Sequence, residues 1–311
     1  MLSFQRILVG VDVVDNDLTT TSREAWNQAL KMASSCNAEL LLVTVSSTSP
    51  VDTESVLTDN DEVLGTLKEI EDVHARLQQE AESQGVGSRS IMSHGRSWYE
   101  IIRTVLRENA DLVVVGTRGR GRAERLLFGS TSMKLLRKCP CPVWVTRPEP
   151  EVHAKTILVA DDFQEVGARA VQIGVDLAKV LDARLLYVHS VMFPLMGALR
   201  RTEASKDDID AYCEKVRSEA EQHMQERLAH TDHRTVQAGV QVRVATGPAD
   251  LAVEEIVREE KISLVIMGTL GRSGIPGILL GNTAERLLPL LDCSVLALKP
   301  DGFVSPVTLD S

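Results

Sequence analysis

The sequence predicts an α/β protein that contains two copies of one doubly wound domain. Three observations lead to this fold class. The chain has 311 residues, about twice the usual domain size of roughly 100–150 residues. Short apolar runs alternate with longer segments of helical period, and the whole pattern occurs twice. Apolar runs between helices indicate parallel strands covered on both faces of the sheet.

The repeat is visible as matching segments at a nearly constant spacing. Arg6–Val9 matches Thr156–Val159 at an offset of 150 residues, and Asp111–Gly116 matches Ser263–Gly268 at an offset of 152. Between the copies lies 147–151, in which two prolines interrupt regular structure and favour a short stiff linker. The sequence therefore predicts one domain over 1–147 and a second over 154–303.

Each copy shows the same order of strands and helices. In the first copy the apolar pattern predicts strands at Ile7–Val11, Glu39–Val45, Ser90–Ser93 and Leu112–Val115, and amphipathic helices around Trp26–Ala33, Val63–Leu77 and Trp98–Glu108. In the second copy it predicts strands at Ile157–Ala160, Leu185–Val188, Val240–Val244 and Leu264–Met267, and helices around Ile173–Leu181 and Ile209–Leu228. With last strands at Val143–Thr146 and Val295–Leu298, each copy is a Rossmann-like domain with a five-stranded parallel sheet flanked by helices.

Composition favours a cytoplasmic protein. The formal net charge of -10 argues against non-specific binding to nucleic acid or to an anionic membrane. Five scattered cysteines do not form the even-numbered framework of a small secreted domain. The first residues show no apolar signal core, and no apolar stretch approaches the roughly 20 residues of a membrane span. We therefore expect neither a membrane span nor a nucleic-acid partner.

A Gly-x2-Gly-x9-Gly loop follows the fourth strand of each copy. Its glycines are Gly116, Gly119 and Gly129 in the first copy, and Gly268, Gly271 and Gly281 in the second. Ligands of doubly wound sheets bind beyond the carboxyl ends of the strands, where these loops lie. Ser130 and Thr131 place hydroxyl groups beside the free amides of a helix N-terminus, an arrangement that favours phosphate. Neither a P-loop nor a Gly-x-Gly-x2-Gly motif after the first strand is present.

These residues resemble the universal stress protein family, in particular its tandem two-domain E-type members. The resemblance covers nearly the whole chain, twice, and implies an adenine nucleotide alpha hydrolase-like fold with ATP or AMP as ligand; magnesium is the ion that chemistry would add to ATP by default. In the first copy it implies a nucleotide site made of Asp12, Val45, Val115, Gly116, Gly119, Gly129, Ser130 and Thr131. Arg120 is added to this site because both copies have an arginine there that suits a polyphosphate. It also implies that the two domains pair through their last strands, within the chain or in a homodimer.

The second copy matches the family pattern less completely. The implied site there consists of Asp162, Met267, Gly268, Gly271, Arg272, Gly281, Asn282 and Thr283. Asn282 stands where Ser or Thr is usual, although an amide can still donate a hydrogen bond. Ser190 stands where the first copy has Val45. A phosphate cradle is thus predicted more firmly for the first copy.

Three functions remain open from the sequence. The first is a non-enzymatic stress-response protein whose adenine-nucleotide binding shifts a conformational equilibrium. The second is a weak ATP hydrolase or nucleotide transferase, although no nucleophile, base and orienter set is recognisable and no catalytic residue is assigned. The third is a scaffold whose second domain binds an apolar ligand, suggested by Asn282, Ser190 and the apolar stretch Ile275–Leu280.

The remaining motifs favour structural roles. Arg118, Arg122 and Arg125 surround the first loop and suit either a polyphosphate or a solvated surface. Cys139 and Cys141 lack the second cysteine pair that zinc sites usually have, so burial is the favoured interpretation. His223, His230 and His233 would share one helical face only if the helix continued through all three residues. No metal site is predicted.

Overall fold

The computed structural model describes residues 3–46, 60–117, 128–148, 155–202, 204–269 and 280–309. Four predicted site residues, Gly119, Arg120, Gly271 and Arg272, lie outside the described residues, as do Arg118, Arg122 and Arg125. The chain divides into two compact units. Unit 1 comprises Met1–Glu151 together with Ser294–Ser311, and unit 2 comprises Val152–Cys293. The domain limits 1–147 and 154–303 stay predictions from the sequence.

Unit 1 contains eight strands and four α-helices within its described residues. The strands are β1 (Arg6–Gly10), β2 (Val13–Val14), β3 (Asp17–Leu18), β4 (Glu39–Ser46), β5 (Ser88–His94), β6 (Leu112–Gly116), β7 (Val143–Thr146) and, from the end of the chain, β12 (Ser294–Leu298). The helices are α1 (Thr20–Cys36), α2 (Asn60–Ser83), α3 (Ser97–Glu108) and α4 (Ser130–Lys138).

The main sheet of unit 1 has the strand order β12-β7-β6-β1-β4-β5. The strands from β7 to β5 are parallel, with Ile7 opposite Leu40 on one side and opposite Leu112 on the other. β12 is antiparallel to β7, and Val295 lies opposite Val145. β2 and β3 form a separate small hairpin directly after β1.

Unit 2 repeats the plan with four parallel strands. The strands are β8 (Thr156–Ala160), β9 (Arg184–Val191), β10 (Val240–Thr246) and β11 (Leu264–Gly268), in the order β10-β9-β8-β11. The helices are α5 (Glu165–Leu181), α6 (Met196–Arg201), α7 (Lys206–Ala229), α8 (Ala249–Glu259) and α9 (Asn282–Leu287). Short 3₁₀ turns lie at His233–Thr235 and Leu288–Leu290. The predicted α/β class, with a mostly parallel sheet flanked by helices, is confirmed.

Local sequence explains where several helices begin and end. The Thr19 hydroxyl caps α1 by accepting a hydrogen bond from the Ser22 N–H at 3.2 Å. α1, α3 and α5 end at Asn37, Asn109 and Asp182, each with a left-handed backbone. Asn and Asp tolerate this conformation better than other residues that carry a β-carbon, so they act as helix stops.

The core lies between the helices and the apolar strands, as the periodic pattern predicts. Trp26 on α1 and Ile102 on α3 are fully buried, and so are Ile7 and Leu8 on β1. Burial of such side chains contributes about 1.5–3 kcal/mol each relative to exposure. This core fixes the carboxyl ends of the strands, which carry the loops described next.

Candidate functional site

A pocket in unit 1 lies at the carboxyl ends of β1, β4 and β6. The chain leaves β1 toward β4 on one side and later returns to β6 on the other, so the strand order reverses beside β1. Such a switch point is the usual ligand position in doubly wound sheets. The pocket encloses about 620 Å³, including the part that opens to solvent.

One wall of the pocket is apolar. Val43 and Val45 from β4, Ile101 from α3 and Val115 from β6 line it. Val43, Ile101 and Val115 are buried, whereas Val45 is half-buried. An apolar wall of this kind suits a flat ring, because contact removes apolar surface from water on both partners.

The loop after β1 forms the opposite rim. The Asp12 N–H donates a hydrogen bond to the Ser22 hydroxyl at 2.9 Å, and the Thr19 hydroxyl donates to the same oxygen at 2.9 Å. These bonds tie the loop to the first turn of α1. The Asp12 side chain itself is exposed at the pocket rim, where its carboxylate is available to accept hydrogen bonds from a ligand.

Gly116 is required by the packing of α1 against β6. A β-carbon at this residue would lie 2.5 Å from the carbonyl oxygen of Thr21, a distance that real β-carbons do not reach. Because the obstacle is backbone, the helix would have to move. Gly116 therefore lets the first turn of α1 approach the end of β6, and the two segments together form the pocket floor.

The first turn of α4 contributes residues to the pocket. Gly129 is the N-cap residue and has no side chain with which to cap the helix amides. The first turn contains no acidic residue, while Arg137 and Lys138 lie in the last turn. Unpaired amides and the positive end of the helix dipole attract anions. Gly129, Thr131 and Ser132 line the pocket, whereas Ser130 is exposed and is not among the lining residues.

Thr117 is one of the residues that line this pocket, and it carries a buried hydroxyl group. The residue is 3% exposed, lines the pocket, and its Oγ1 has no hydrogen-bond partner among the residues that the structure describes. Its backbone N–H donates to the Thr146 carbonyl at 3.0 Å, which fixes the residue at the end of β6. A buried hydroxyl without a partner costs about 1–3 kcal/mol. A ligand that bonds this group would recover that cost.

The structure thus brings together six residues of the predicted first site: Asp12, Val45, Val115, Gly116, Gly129 and Thr131. The sequence-based prediction did not include Ser22, Ser97, Ile101, Thr117 or Ser132. Thr117 carried one signal that was available in the sequence, since Thr269 occupies the same place in the second copy. The other four come from helix starts, and only the packing of those helices brings them to the pocket.

The corresponding region of unit 2 has a different character. Asn282 and Thr283 are exposed at the start of α9, which is six residues long and has Glu285 in its first turn. A carboxylate in the first turn interacts favourably with the helix dipole but repels phosphate. The exposed Asp162 accepts a hydrogen bond from the Gln164 N–H at 3.0 Å.

The remaining predicted residues of the second site surround the end of β11. Met267 is buried and Gly268 is half-buried, and the Gly281 N–H donates to the Thr269 carbonyl at 2.6 Å. The Ser190 hydroxyl, in the place of Val45, donates to the Gly247 carbonyl at 2.7 Å. The Gly281 N–H and the Ser190 hydroxyl therefore already have hydrogen-bond partners within the protein.

Beside the end of β8, unit 2 contains a buried ion pair that the sequence-based prediction missed. The Asp161 side chain is fully buried, accepts a hydrogen bond from the Tyr187 hydroxyl at 2.5 Å, and pairs with Arg227 of α7 at 2.9 Å. Burial, followed by the adjacent Asp161, raises the pKa of Tyr187 well above its usual value. Gly167 leaves the space for this carboxylate, since a β-carbon there would overlap Asp161.

Aromatic rings extend this buried network. Phe163 stacks on His189 with ring centroids 3.7 Å apart and on His223 at 4.3 Å. Arg227 lies over the Phe163 ring at 5.5 Å. Burial lowers the pKa of His189, whose Nδ1 is 2.7 Å from the Asp161 carbonyl oxygen. Side chains of the protein itself therefore surround the Asp161 carboxylate.

The histidine alignment that the sequence left conditional does not occur. α7 ends at Ala229, His230 is its C-cap residue and His233 starts a 3₁₀ turn. Within the described ranges, no group of three or more His, Cys, Asp and Glu side chains is arranged to hold a metal ion. No helix among these residues is long and apolar enough to cross a membrane.

The fold and the pocket define a duplicated, doubly wound α/β protein with a pocket at the switch in strand order. The sequence model of the universal stress protein family matches residues 3–147 and again 153–299, and the chain belongs to this family. The curated relative Universal stress protein E of Escherichia coli K12 is 26% identical over 230 residues, which cover 71% of this chain and 70% of that protein. A Universal stress protein E homolog of Haemophilus influenzae is 30% identical over 62% of this chain and 63% of its own length.

Solved structures support the fold. A putative universal stress protein from Pseudomonas aeruginosa UCBPP-PA14 superposes with a TM-score of 0.69 at 22% identity, covering 96% of this chain and 94% of that one. A universal stress protein from Archaeoglobus fulgidus gives a TM-score of 0.60 at 20% identity, covering 94% and 98%. At these identities the similarity shows the shared fold.

Proposed function

We propose that this chain is a non-enzymatic, cytoplasmic stress-response protein that binds an adenine nucleotide of the ATP or AMP type in the pocket of unit 1. The observation that carries the proposal is the buried Thr117 hydroxyl, which has no partner among the described residues and belongs to a residue lining the pocket, together with the start of α4 at the same pocket. A polar group without a partner in a pocket lowers stability unless a ligand bonds it. A bound nucleotide would supply the hydrogen-bond partner that the Thr117 hydroxyl lacks among the described residues.

The two ends of the pocket match the two ends of a nucleotide. Val43, Val45 and Ile101 offer apolar contact for a base, and the Asp12 carboxylate at the rim accepts hydrogen bonds from ribose hydroxyls. The start of α4, with Thr131 and Ser132, offers amide and hydroxyl donors for phosphate. Magnesium would reach the site with ATP phosphates, since Asp12 is the one carboxylate among the described lining residues.

The predicted second site remains a proposal of lower weight. The Glu285 carboxylate near the start of α9 opposes phosphate, and Ser190 is bonded to Gly247. We infer that unit 1 binds nucleotide more tightly than unit 2. The third function requires an apolar ligand in unit 2. The apolar stretch that suggested it, Ile275–Leu280, lies outside the described residues except for its last residue, so the described residues do not favour an apolar ligand over nucleotide.

The direct test is a calorimetric titration of the full chain with ATP and with AMP at millimolar concentrations. Gly129→Val adds a branched side chain at the rim of the first pocket, and Gly281→Val is the matched change in unit 2. We expect the first variant to lose binding and the second to keep it. No heat of binding from the folded wild-type chain with either nucleotide would end the proposal.

The hydrolase alternative rests on the same pocket and is tested separately. Phosphate release from ATP is measured for the wild-type chain and for Gly129→Val. The proposal expects equal background rates, whereas release that depends on Gly129 would establish an enzyme. Native mass spectrometry of the purified chain separates the other cases, because it distinguishes a co-purified nucleotide from a co-purified lipid.

A further inference from the structure

Two cysteine sulfurs lie in contact in the connection between α4 and β7. Cys139 is fully buried, Cys141 is 9% exposed, and their Sγ atoms are 3.6 Å apart at hydrogen-bond distance. The backbone N–H of Cys139 closes the last turn of α4 by donating to the Leu135 carbonyl at 2.9 Å. The pair is therefore held by the end of a helix on one side and by the start of a buried strand on the other.

A buried lysine lies next to the same segment. Lys299, which follows β12, is 3% exposed and donates from Nζ to the carbonyl oxygens of Leu136 at 2.6 Å and Arg137 at 3.2 Å. Burial lowers the pKa of Lys299 to about 8, and the nearby charge of Cys139 opposes this shift. The ammonium thus caps the last carbonyls of α4, two and three residues before Cys139.

The two thiols are not equivalent. The hydrogen bond to Cys139, together with burial and the negative charges of Cys139 and Asp111, raises the pKa of Cys141 well above its usual value. Cys141 therefore retains its proton, and Cys139 is the thiol that directly follows the end of α4, where the Lys299 ammonium is bonded. A thiolate is the reactive form of cysteine toward oxidants and disulfides.

We propose that Cys139 and Cys141 form a redox site, which a peroxide or a small disulfide converts into an intrachain disulfide with Lys299 as the positioning cation. With hydrogen peroxide, the Cys139 thiolate attacks one oxygen, and the O–O bond breaks to give a sulfenic acid and hydroxide. The Cys141 sulfur then attacks the Cys139 sulfur, the S–O bond breaks, and water leaves. Two thiols and one peroxide give one disulfide and two waters.

A small disulfide such as oxidised glutathione reaches the same product by exchange. The Cys139 thiolate attacks one sulfur and releases the first glutathione thiolate. Cys141 then displaces the second glutathione from the mixed disulfide. The site is oxidised by two electrons and the small disulfide is reduced by two. The contact at 3.6 Å means that the second thiol is already in place for the closing step.

The test counts thiols in the full chain after exposure to hydrogen peroxide and, separately, to glutathione buffers of increasing oxidation. Samples are quenched in acid, unfolded, alkylated and digested with trypsin. No Lys or Arg separates Cys139 from Cys141, so one peptide that begins at Cys139 contains both. We expect this peptide to lose two hydrogens and to carry no alkyl group. Two alkyl groups on it, in a sample where Cys36 or Cys213 has been oxidised, would overturn the proposal.

The role of the lysine is tested by the rate. Lys299→Gln is expected to slow disulfide formation with peroxide at pH 7 by about tenfold, because the variant lacks the cation that stabilises negative charge at the end of α4. Lys299→Arg should restore most of the rate, because it keeps the charge. Lys138→Gln is the matched control, since this neighbouring lysine lies over the Trp98 ring at 4.6 Å. Equal rates for Lys299→Gln and wild type would remove Lys299 from the mechanism.

Discussion

The carboxyl ends of β6 in unit 1 and β11 in unit 2 derive from one repeated pattern but carry different chemistry. In unit 1, Lys134 of α4 lies over the Trp98 ring at 5.2 Å, and the start of the helix is free of acidic groups. In unit 2 the residues at the same repeat positions are Arg286 and Asp250, which form an ion pair at 2.6 Å. The two copies thus share the glycines of the loop in sequence, but the charged side chains near the two helix starts differ.

The opposite face of each sheet shows the same divergence. In unit 1 the Thr44 hydroxyl donates to the Val11 carbonyl at 3.1 Å and contacts His74 Nε2 at 2.9 Å, so the buried polar groups are neutral. In unit 2 His189 takes the place of Thr44, and Asp161 and Arg227 form an ion pair in the protein interior. The buried polar side chains on this face are thus hydrogen-bonded and neutral in unit 1, whereas unit 2 buries an ion pair.

The largest expected effect comes from breaking the buried pair of unit 2. Arg227→Met leaves the Asp161 carboxylate buried without its cation and should lower the free energy of unfolding by about 3–5 kcal/mol. Urea unfolding followed by circular dichroism measures this change. The control is Arg243→Met, whose partners Glu259 and Glu260 are more exposed and whose loss should cost less than about 1 kcal/mol. Equal costs for the two variants would contradict the role assigned to the buried pair.

The next effect concerns the two helix starts. Thr131→Asp puts a carboxylate in the first turn of α4 and should weaken ATP binding by about 2–3 kcal/mol, roughly 100-fold, through repulsion of the phosphates. AMP, with fewer phosphates, should lose less. The matched variant Thr283→Asp changes the start of α9, and calorimetry should show ATP binding unchanged. A larger loss in Thr283→Asp than in Thr131→Asp would place the principal site in unit 2.

The stability of unit 1 should depend on pH through the buried His74, which contacts the Thr44 hydroxyl. Burial lowers the pKa of His74 to about 4, whereas the unfolded chain has the usual value near 6.5. Between these values the unfolded state binds the proton more readily, so stability is lost as pH falls from about 6.5 to 4. His74→Gln should remove about 2 kcal/mol of this pH dependence, measured by urea unfolding at pH 7 and pH 4. An unchanged slope would show that His74 does not titrate in this way.

The smallest expected effect comes from the buried hydroxyl of the first pocket. Thr117→Val keeps the shape but removes the unpaired group, so it should raise the stability of the free protein by about 1 kcal/mol. The same change should weaken nucleotide binding about tenfold, because the ligand loses a hydrogen bond. Thr269→Val is the matched variant in unit 2. Thr117→Val with unaltered affinity would exclude the hydroxyl as a ligand contact.

Much of the fold followed from local pattern. The apolar positions of α1 and the periodic positions of α3 are buried as expected, because a period of 3.6 residues places them on one face. Part of the pocket followed as well, since Asp12, Val45 and Gly129 mark the ends of elements that any doubly wound sheet brings together. Ser97, Ile101 and Ser132 could not be predicted in this way, because their place depends on how α3 and α4 pack.

The difference between the two copies was only partly predictable. Asn282 and Ser190 signalled a changed second site, but Asp161 looked like the ordinary polar end of a strand. Its burial becomes understandable only with Arg227, 66 residues later, and with the space that Gly167 leaves. Charge pairing across such a separation leaves no periodic trace in a sequence.

By itself, the sequence determined the duplicated α/β class, the strands, the helical faces and the positions of the glycine loops, because these depend on periodicity and on backbone geometry that a few residues impose. Tertiary structure alone decided which polar groups have partners. Thr117 and Thr269 occupy the same repeat position, yet only the structure shows that the Thr117 hydroxyl has no partner among the described residues. Lys299 bonds the last carbonyls of α4 only when the end of the chain packs against that helix. Free energies of burial, hydrogen bonding and charge depend on what lies nearby in space, and the chain order does not contain that information.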